Sequence, residues 1–253
     1  MTPPPSRAFA PLDFAQLIAI AVIWGVNNIA AKIAVDAFPP LMVVALRFAI
    51  VLVVLFPWLK PLPPAAIKLM AAMVLLVGPV HFGIQYFGLS LAHDLAPMVV
   101  AMQLWVPFSV LFAALVLKEP IGGLRIAGIV CAFIGVASMS FDPVVFAQVG
   151  ALALIALSSA GYSLGTVLVR QMPRVDAWAM QAWLALATAP IMGLASLIFE
   201  TGHIEAARNA SWIPWACLLS ARWPQALSPT ISCSAWCRST KSRAPRRSCC
   251  SRR

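Results

Sequence analysis

Apolar residues run along this chain in long blocks between about Asp13 and Leu219, and nearly all of its charges collect in the short links between blocks. An α-helix rises about 1.5 Å per residue, so about 20 apolar residues cross a hydrocarbon core about 30 Å thick with every backbone group paired internally. Seven blocks meet that length, which predicts an all-α membrane protein, a multi-span helical bundle. We place the predicted spans at residues 14–35, 41–59, 66–92, 95–117, 122–140, 149–170 and 177–199.

The composition agrees with this class of protein. Hydrophobic residues make up 62% of the chain and charged residues 10%, whereas soluble domains carry about 25% charged residues. Residues 1–13 are Pro-rich, and no small-residue cleavage site follows the first apolar block. We therefore expect a cytoplasmic N-terminal segment followed by a retained first span, not a removed signal peptide.

Basic residues of the short loops predict the orientation, because Lys and Arg collect in cytoplasmic loops. If the N-terminus lies inside, the inner segments hold seven cations: Arg7, Lys60, Lys68, Lys118, Arg125, Arg170 and Arg174. The outer loops then hold only Arg208, beside the acidic residues Asp94, Asp142, Glu200 and Glu205. The pattern predicts a multi-pass protein with a cytoplasmic N-terminus.

The end of the chain has a different character. An eighth apolar block begins at Trp212 and stops near Ala221, which is too short to span. Residues 221–253 carry eight basic and no acidic residues, so eight of the net +10 charges come from this tail. One interpretation is a cytoplasmic tail that touches anionic lipid. The other, which we favour, is a frameshifted and disordered tail, because codons can be chosen for residues 221–250 such that a two-base slip reads an apolar span, a basic loop and the start of another span.

The same tail limits what charge and cysteine content can indicate. Because the basicity is confined to it, the net charge says nothing about the membrane part, and we expect no nucleic-acid partner. Four of the six cysteines also lie there, with spacing that is not a paired C-x-x-C framework and with no His nearby. Cys131 and Cys217 sit in apolar stretches, where a thiol behaves as a small hydrophobe. We expect no metal, no disulfide and no cofactor.

The first and sixth spans share a weak pattern. Trp24 precedes Lys32 by eight residues and Tyr162 precedes Arg170 by eight, and a glycine adjoins each aromatic residue. Five spans separate the two segments, and because that number is odd the halves would insert in opposite senses. Inverted repeats of this kind are typical of transporters, whose substrate site lies near the midplane where the halves meet.

Several segments together resemble a known family. They are Ile23-Trp24-Gly25-Val26-Asn27-Asn28, Lys32, Phe38-Pro39-Pro40-Leu41, Leu46-Arg47-Phe48, Leu117-Lys118-Glu119-Pro120, Gly128-Ile129 and Gly135-Val136. As a linked series they resemble the EamA group of the drug/metabolite transporter superfamily. The resemblance implies a ten-helix fold of two inverted five-helix repeats that exports or exchanges amino acids, metabolites or drugs across a bacterial inner membrane. Residues 14–140 would form the first repeat and residues 149–220 a truncated second repeat, and a homodimer is left open.

Polar residues inside the first two spans are the first candidates for a substrate pathway, because polar groups in hydrocarbon normally face a cavity or a partner. Trp24, Asn28 and Lys32 share one helical stripe, with Asn27 beside it. Arg47 is the deepest charge, and its guanidinium suits a bidentate clamp on a substrate carboxylate. The structural alternatives are pairing of Arg47 with Asp36 or helix-end carbonyls, and snorkelling of Lys32 to the outer interface.

The third, fourth and sixth spans supply the other candidates. His81 is a candidate proton carrier, although a neutral, hydrogen-bonded His is the common alternative, and Gln85 lies one turn further on. Gln103 and Trp105, near Pro107, are candidate cavity residues in the fourth span. In the sixth span Tyr162, Ser163 and Thr166 belong to a polar stripe with Ser159 and Arg170, with helix packing as the alternative. We expect Glu119 to contact a loop or to pair with Lys118 or Arg125.

The pattern favours a secondary transporter, with a small-molecule substrate and the lipid bilayer as partners. An intramembrane enzyme would need a convergent set such as paired Asp within spans or H-E-x-x-H. The sequence has neither, and no Asp or Glu lies deep in a span, so we expect no catalytic residues. The other alternative is an inactive truncated membrane protein or a scaffold.

Overall fold

A computed structural model describes residues 11–139, 141–173 and 175–220. Within these ranges all regular structure is helical. Most of the predicted N-terminal segment and the whole predicted frameshifted tail, residues 221–253, lie outside the described residues.

Seven helices follow the seven predicted blocks closely. They are α1 (Pro11–Ala37), α2 (Pro40–Leu55), α3 (Pro64–Leu91), α4 (Leu95–Leu117), α5 (Gly123–Met139), α6 (Val149–Val169) and α7 (Ala177–Phe199). Shorter helices lie at Phe56–Trp58, Pro143–Phe146, His203–Asn209 and Trp212–Ser220. Among the described residues, six helices are long and apolar enough to cross a membrane, and α5, with 17 residues, is shorter. The protein is thus an all-α, multi-span membrane protein.

Two of the long helices are irregular near their middle. In α3 the segment Leu76–Phe82 is π-helical around Pro79, which has no N–H to donate to the preceding turn. In α4 the regular α-helix is interrupted between Met102 and Trp105, just before Pro107. The carbonyl that Pro107 leaves unpaired, at Gln103, accepts instead from the Val106 N–H at 3.1 Å.

The most extensive helix–helix contact in the bundle is the antiparallel pair α2 and α7. At one end the Glu200 carboxylate accepts from the Leu41 and Met42 amides at 2.8 and 3.1 Å, two first-turn donors that have no partner within α2. At the opposite end the Trp183 indole donates to the Lys60 carbonyl at 3.0 Å. The pair is therefore tied at both ends.

Helix α3 lies between α6 and α7, and glycines allow the close approach. A Cβ added at Gly165 would lie 2.4 Å from Val77 Cγ2, and one at Gly78 would lie 2.1 Å from Thr188 Oγ1. At either position a larger residue would force the neighbouring side chain or its helix to shift. The irregular part of α3 is consequently fixed against two helices at once.

Helix α5 is the least enclosed of the seven. It has no buried residue, and many of its apolar side chains are exposed, with Leu124 at 91%. Apolar side chains facing outward are expected where a helix meets lipid instead of protein. The core that positions the polar groups described next is therefore formed by the other six helices.

Candidate functional site

A buried arginine joins the first three helices. Arg47 of α2 is only 3% exposed. Its guanidinium donates to the Tyr86 hydroxyl of α3 and to Asn27 Oδ1 of α1, the latter at 2.6 Å. The guanidinium carbon also lies 5.4 Å from the centre of the Tyr86 ring. Three helices thus converge on one cation.

The charge of this arginine is not neutralised by any acidic side chain in the part of the chain that the structure describes. Its Nε is buried and makes no hydrogen bond. Removing a charge from water is costly unless the charge is paired, and both of its present acceptors are neutral. The cluster is therefore suited to bind an anion.

The alternative pairing of Arg47 with Asp36 is wrong. Asp36 instead accepts from Lys32 of the same helix at 2.5 Å, an i,i+4 ion pair. Because residues four apart on a helix are neighbours on its surface, this ion pair forms within α1 and involves no other helix. Arg47 therefore has no bond to Asp36. Lys32 is accordingly placed in an ion pair near the helix end, away from the buried cluster.

A second group of polar and aromatic side chains lies between α3, α4 and α6. His81 Nδ1 is 2.9 Å from the Ser158 carbonyl, which can only accept, so Nδ1 carries the hydrogen. The His81 ring is 4.8 Å from the Tyr162 ring, and Tyr162 is 6.0 Å from Trp105, measured between centroids. The Trp105 indole donates to Gln103 Oε1 at 3.1 Å. The structure brings these four predicted residues together.

The remaining polar residues of α6 are used within the scaffold. Ser163 Oγ donates to the Trp105 carbonyl at 2.7 Å, and Ser159 Oγ lies 3.2 Å from the Met102 carbonyl, so both serines bond the interruption of α4. Thr166 Oγ1 donates to the Ser163 carbonyl in its own helix. The serine contacts position α4 against α6. Because all three hydroxyl groups donate to backbone carbonyls, they are not free to donate to a ligand.

Three predicted residues have no polar partner among the described side chains. Asn28 of α1 and Gln85 of α3 are half-buried and make no hydrogen bond within the described ranges, and Trp24 is exposed on α1. An amide at the depth of the hydrocarbon needs water, a ligand or another polar group. Asn28 and Gln85 are therefore available to a ligand, as is the Tyr162 hydroxyl.

Glu119 differs from its sequence prediction. It pairs with Arg170 of α6 at 2.5 Å, not with Lys118 or Arg125. Both side chains are about half exposed. Arg170 thus belongs to a link between the ends of α4 and α6.

Sequence reasoning missed Tyr86 and Glu200. A signal existed for Tyr86, because the chain has only two tyrosines and this one lies inside an apolar span, where its hydroxyl needs a partner. No sequence signal marked Glu200, because its role as a hydrogen-bond acceptor depends on how closely α2 approaches α7. Ser196 Oγ also donates to the Glu200 carboxylate at 2.6 Å.

Comparisons with known proteins extend this description. The sequence model of the EamA-like transporter family matches residues 14–141, half of the chain. A curated relative from Escherichia coli (strain K12), described as "Probable amino-acid metabolite efflux pump", is 24% identical over 153 residues, which cover 60% of this chain and 50% of the relative. The chain spans about half the length of that relative.

Proposed function

We propose a function from one premise: the chain belongs to the EamA-like transporter family. On this premise, and because its helices are those of a multi-pass membrane protein, it is a secondary transporter that exports small amino-acid-like metabolites or drugs. The membrane is the bacterial inner membrane. The substrate carboxylate binds Arg47, and Asn28 and Gln85 bind polar groups of the same ligand.

The observation that carries this proposal is the unneutralised charge of Arg47. A guanidinium at this depth that already holds Tyr86 and Asn27 is pre-organised, so little side-chain entropy is lost when an anion arrives. Charge-assisted hydrogen bonds are worth about 1.5–3 kcal/mol each. That is enough to discriminate between a carboxylate and its amide.

Counterflow in proteoliposomes tests the proposal. Vesicles that contain the purified chain are loaded with an unlabelled amino-acid mixture and diluted into trace ¹⁴C-labelled mixture, and uptake of label is followed. We expect Arg47→Gln to abolish uptake. Arg47→Lys keeps the charge but loses the planar fork, and its half-saturation concentration should rise about tenfold, equivalent to about 1.4 kcal/mol.

Arg125→Lys is the matched control, because Arg125 is exposed near the start of α5 and its substitution should leave uptake unchanged. The amount of folded protein is measured for every variant. Normal uptake by Arg47→Gln would eliminate the clamp, and loss of folded protein in step with uptake would assign Arg47 a structural role. No uptake by the wild-type chain would favour the truncated or scaffold alternative.

The orientation and repeats belong to the same proposal. We place the N-terminus and the loop that holds Lys60 in the cytoplasm, with α1–α5 and α6 onward as inverted repeats. The approach of the α2 start to the α7 end supports alternating insertion of α2 to α7, since both ends would then lie on the same side of the membrane. A single cysteine at residue 60 should resist a membrane-impermeant maleimide, and one at residue 94 should react. The reverse pattern would overturn the orientation.

A further inference from the structure

A continuous row of aromatic rings leads away from Arg47. Tyr86 contacts Arg47, Phe82 lies one helical turn before Tyr86, and His81, Tyr162 and Trp105 follow; we call these five residues the aromatic row. Neighbouring ring centroids along it are 6.4, 4.7, 4.8 and 6.0 Å apart. The row crosses from α3 to α6 and α4, so helices distant in sequence supply one surface.

The row begins beside the anion-binding group. Phe82 also packs edge-on against Phe48 at 5.0 Å, and Phe48 follows Arg47 directly on α2. A carboxylic acid held by Arg47 would therefore lay its side chain against Phe82. Aromatic rings prefer such offset or edge-to-face partners, which contribute affinity beyond the burial of apolar area.

Beyond Tyr86, which is buried, the row is not sealed like an ordinary core. Phe82, His81 and Tyr162 are half-buried, and Trp105 is 40% exposed. The Tyr162 hydroxyl makes no hydrogen bond to the described residues, and Gln85, one turn from His81, has none either. Open rings flanked by unoccupied polar groups match a ligand that is apolar and flat with polar ends.

We propose that the aromatic row is the side-chain subsite of the transporter, so that its substrates are carboxylic acids bearing an aromatic ring. This inference rests on the proposed function and adds the class of side chain. Phe82 and Tyr162 determine the preference, and Arg47 supplies the attachment that all substrates share.

Equilibrium binding to the purified chain in nanodiscs tests the inference with three labelled probes: L-phenylalanine, L-alanine and benzylamine. The wild-type chain should bind phenylalanine about tenfold more tightly than alanine, as expected for ring contacts of about 1.4 kcal/mol. Benzylamine, which has the ring without the carboxylate, should bind least. Phe82→Leu should weaken phenylalanine binding about three- to tenfold and leave alanine binding unchanged. Tyr162→Leu should act in the same direction.

Phe108→Leu is the matched control. Phe108 is also half-buried and packs edge-on against Phe133 at 5.0 Å, but it lies between α4 and α5, outside the aromatic row. Phe108→Leu should remove an equivalent ring contact without changing the affinity for phenylalanine or for alanine. Thermal unfolding of all three variants is compared, so that a folding defect is recognised by a lower unfolding temperature.

The outcomes separate the two proposals. Equal affinity for phenylalanine and alanine, or an equal loss of both in a Phe82→Leu variant whose unfolding temperature is unchanged, would overturn the aromatic subsite and leave the Arg47 clamp standing. Benzylamine binding as tightly as phenylalanine would overturn the clamp and leave the subsite. Binding of none of the three probes would overturn both.

Discussion

Helices α1 and α6 share a sequence pattern but have different surroundings. Helix α6 buries eight residues against α3 and α4: Ala151, Leu152, Ile155, Ser158, Ser159, Ser163, Gly165 and Val167. Helix α1 contacts α3 and the short helix Trp212–Ser220, but apolar residues along it, such as Val22 and Val26, are more than half exposed. Nothing lies within 4 Å of a Cβ added at Gly25.

The difference shows where polar groups are free to bind a ligand. On α6 the serines bond the interruption of α4, and Arg170 reaches Glu119 across helices. On α1, Lys32 pairs only within its own helix, and Asn28 has no partner among the described residues. Helix α6 therefore uses its serines in the scaffold, and the unoccupied polar groups among the described residues include Asn28 of α1, Gln85 of α3 and the Tyr162 hydroxyl of α6.

Glycine substitutions test this comparison with the largest expected effect. Gly165→Leu in α6 forces atoms into the space of Val77 and should lower the free energy of unfolding by about 3 kcal/mol, as in other overpacked cores. Gly25→Leu in α1 meets no neighbour and should change it little. Unfolding is followed in mixed dodecylmaltoside and SDS micelles by tryptophan fluorescence. Equal losses in the two variants would contradict the difference between the helices.

Hydroxyl and amide deletions should give an intermediate effect. Ser163→Ala removes the bond to the Trp105 carbonyl, and interhelical hydrogen bonds in membranes are worth about 0.6 kcal/mol on average. Asn28→Ala removes no bond within the described part of the chain and should leave the free energy of unfolding unchanged. The free energies of unfolding of Ser163→Ala and Asn28→Ala are compared in the same mixed-micelle titration. A larger loss for Asn28→Ala would mean that Asn28, like Asn27, makes a polar contact that holds α1.

The sequence predicted the helices well, because spans are defined by local hydrophobicity. The observed bounds of α4 and α7 coincide with the prediction, and the family assignment is confirmed by the match over residues 14–141. The π-helical turn of α3 was not predicted, although Pro79 marks its position. A proline indicates a disturbance of the helix without specifying its form.

The site was less predictable because its bonds join residues that are distant in sequence. Arg47 was recognisable from its depth, but the partner Tyr86, 39 residues later, depends on how α2 and α3 pack. Local pairs behave differently: Lys32 and Asp36 are four residues apart, yet the sequence analysis considered Asp36 only as an alternative partner of Arg47. The nearer cation was the better choice, since helical geometry alone brings i and i+4 together.

The smallest expected effect comes from two ion pairs: Lys32–Asp36, near the end of α1, and Glu119–Arg170, which links the ends of α4 and α6. Glu119→Gln removes the link between the ends of α4 and α6, and because both partners are about half exposed the loss should be about 0.5 kcal/mol. Asp36→Asn breaks the pair within α1 and should cost about 0.3 kcal/mol. Both losses should shrink in 0.5 M NaCl, because salt screens exposed charges.

The double variant Glu119→Gln with Arg170→Gln separates the ion pair from other effects of the two substitutions. If the ion pair stabilises the protein, the second substitution should add almost nothing to the loss caused by the first. Additive losses would show that Glu119 and Arg170 act independently, and α6 would then be held to α4 by its serines and small residues alone.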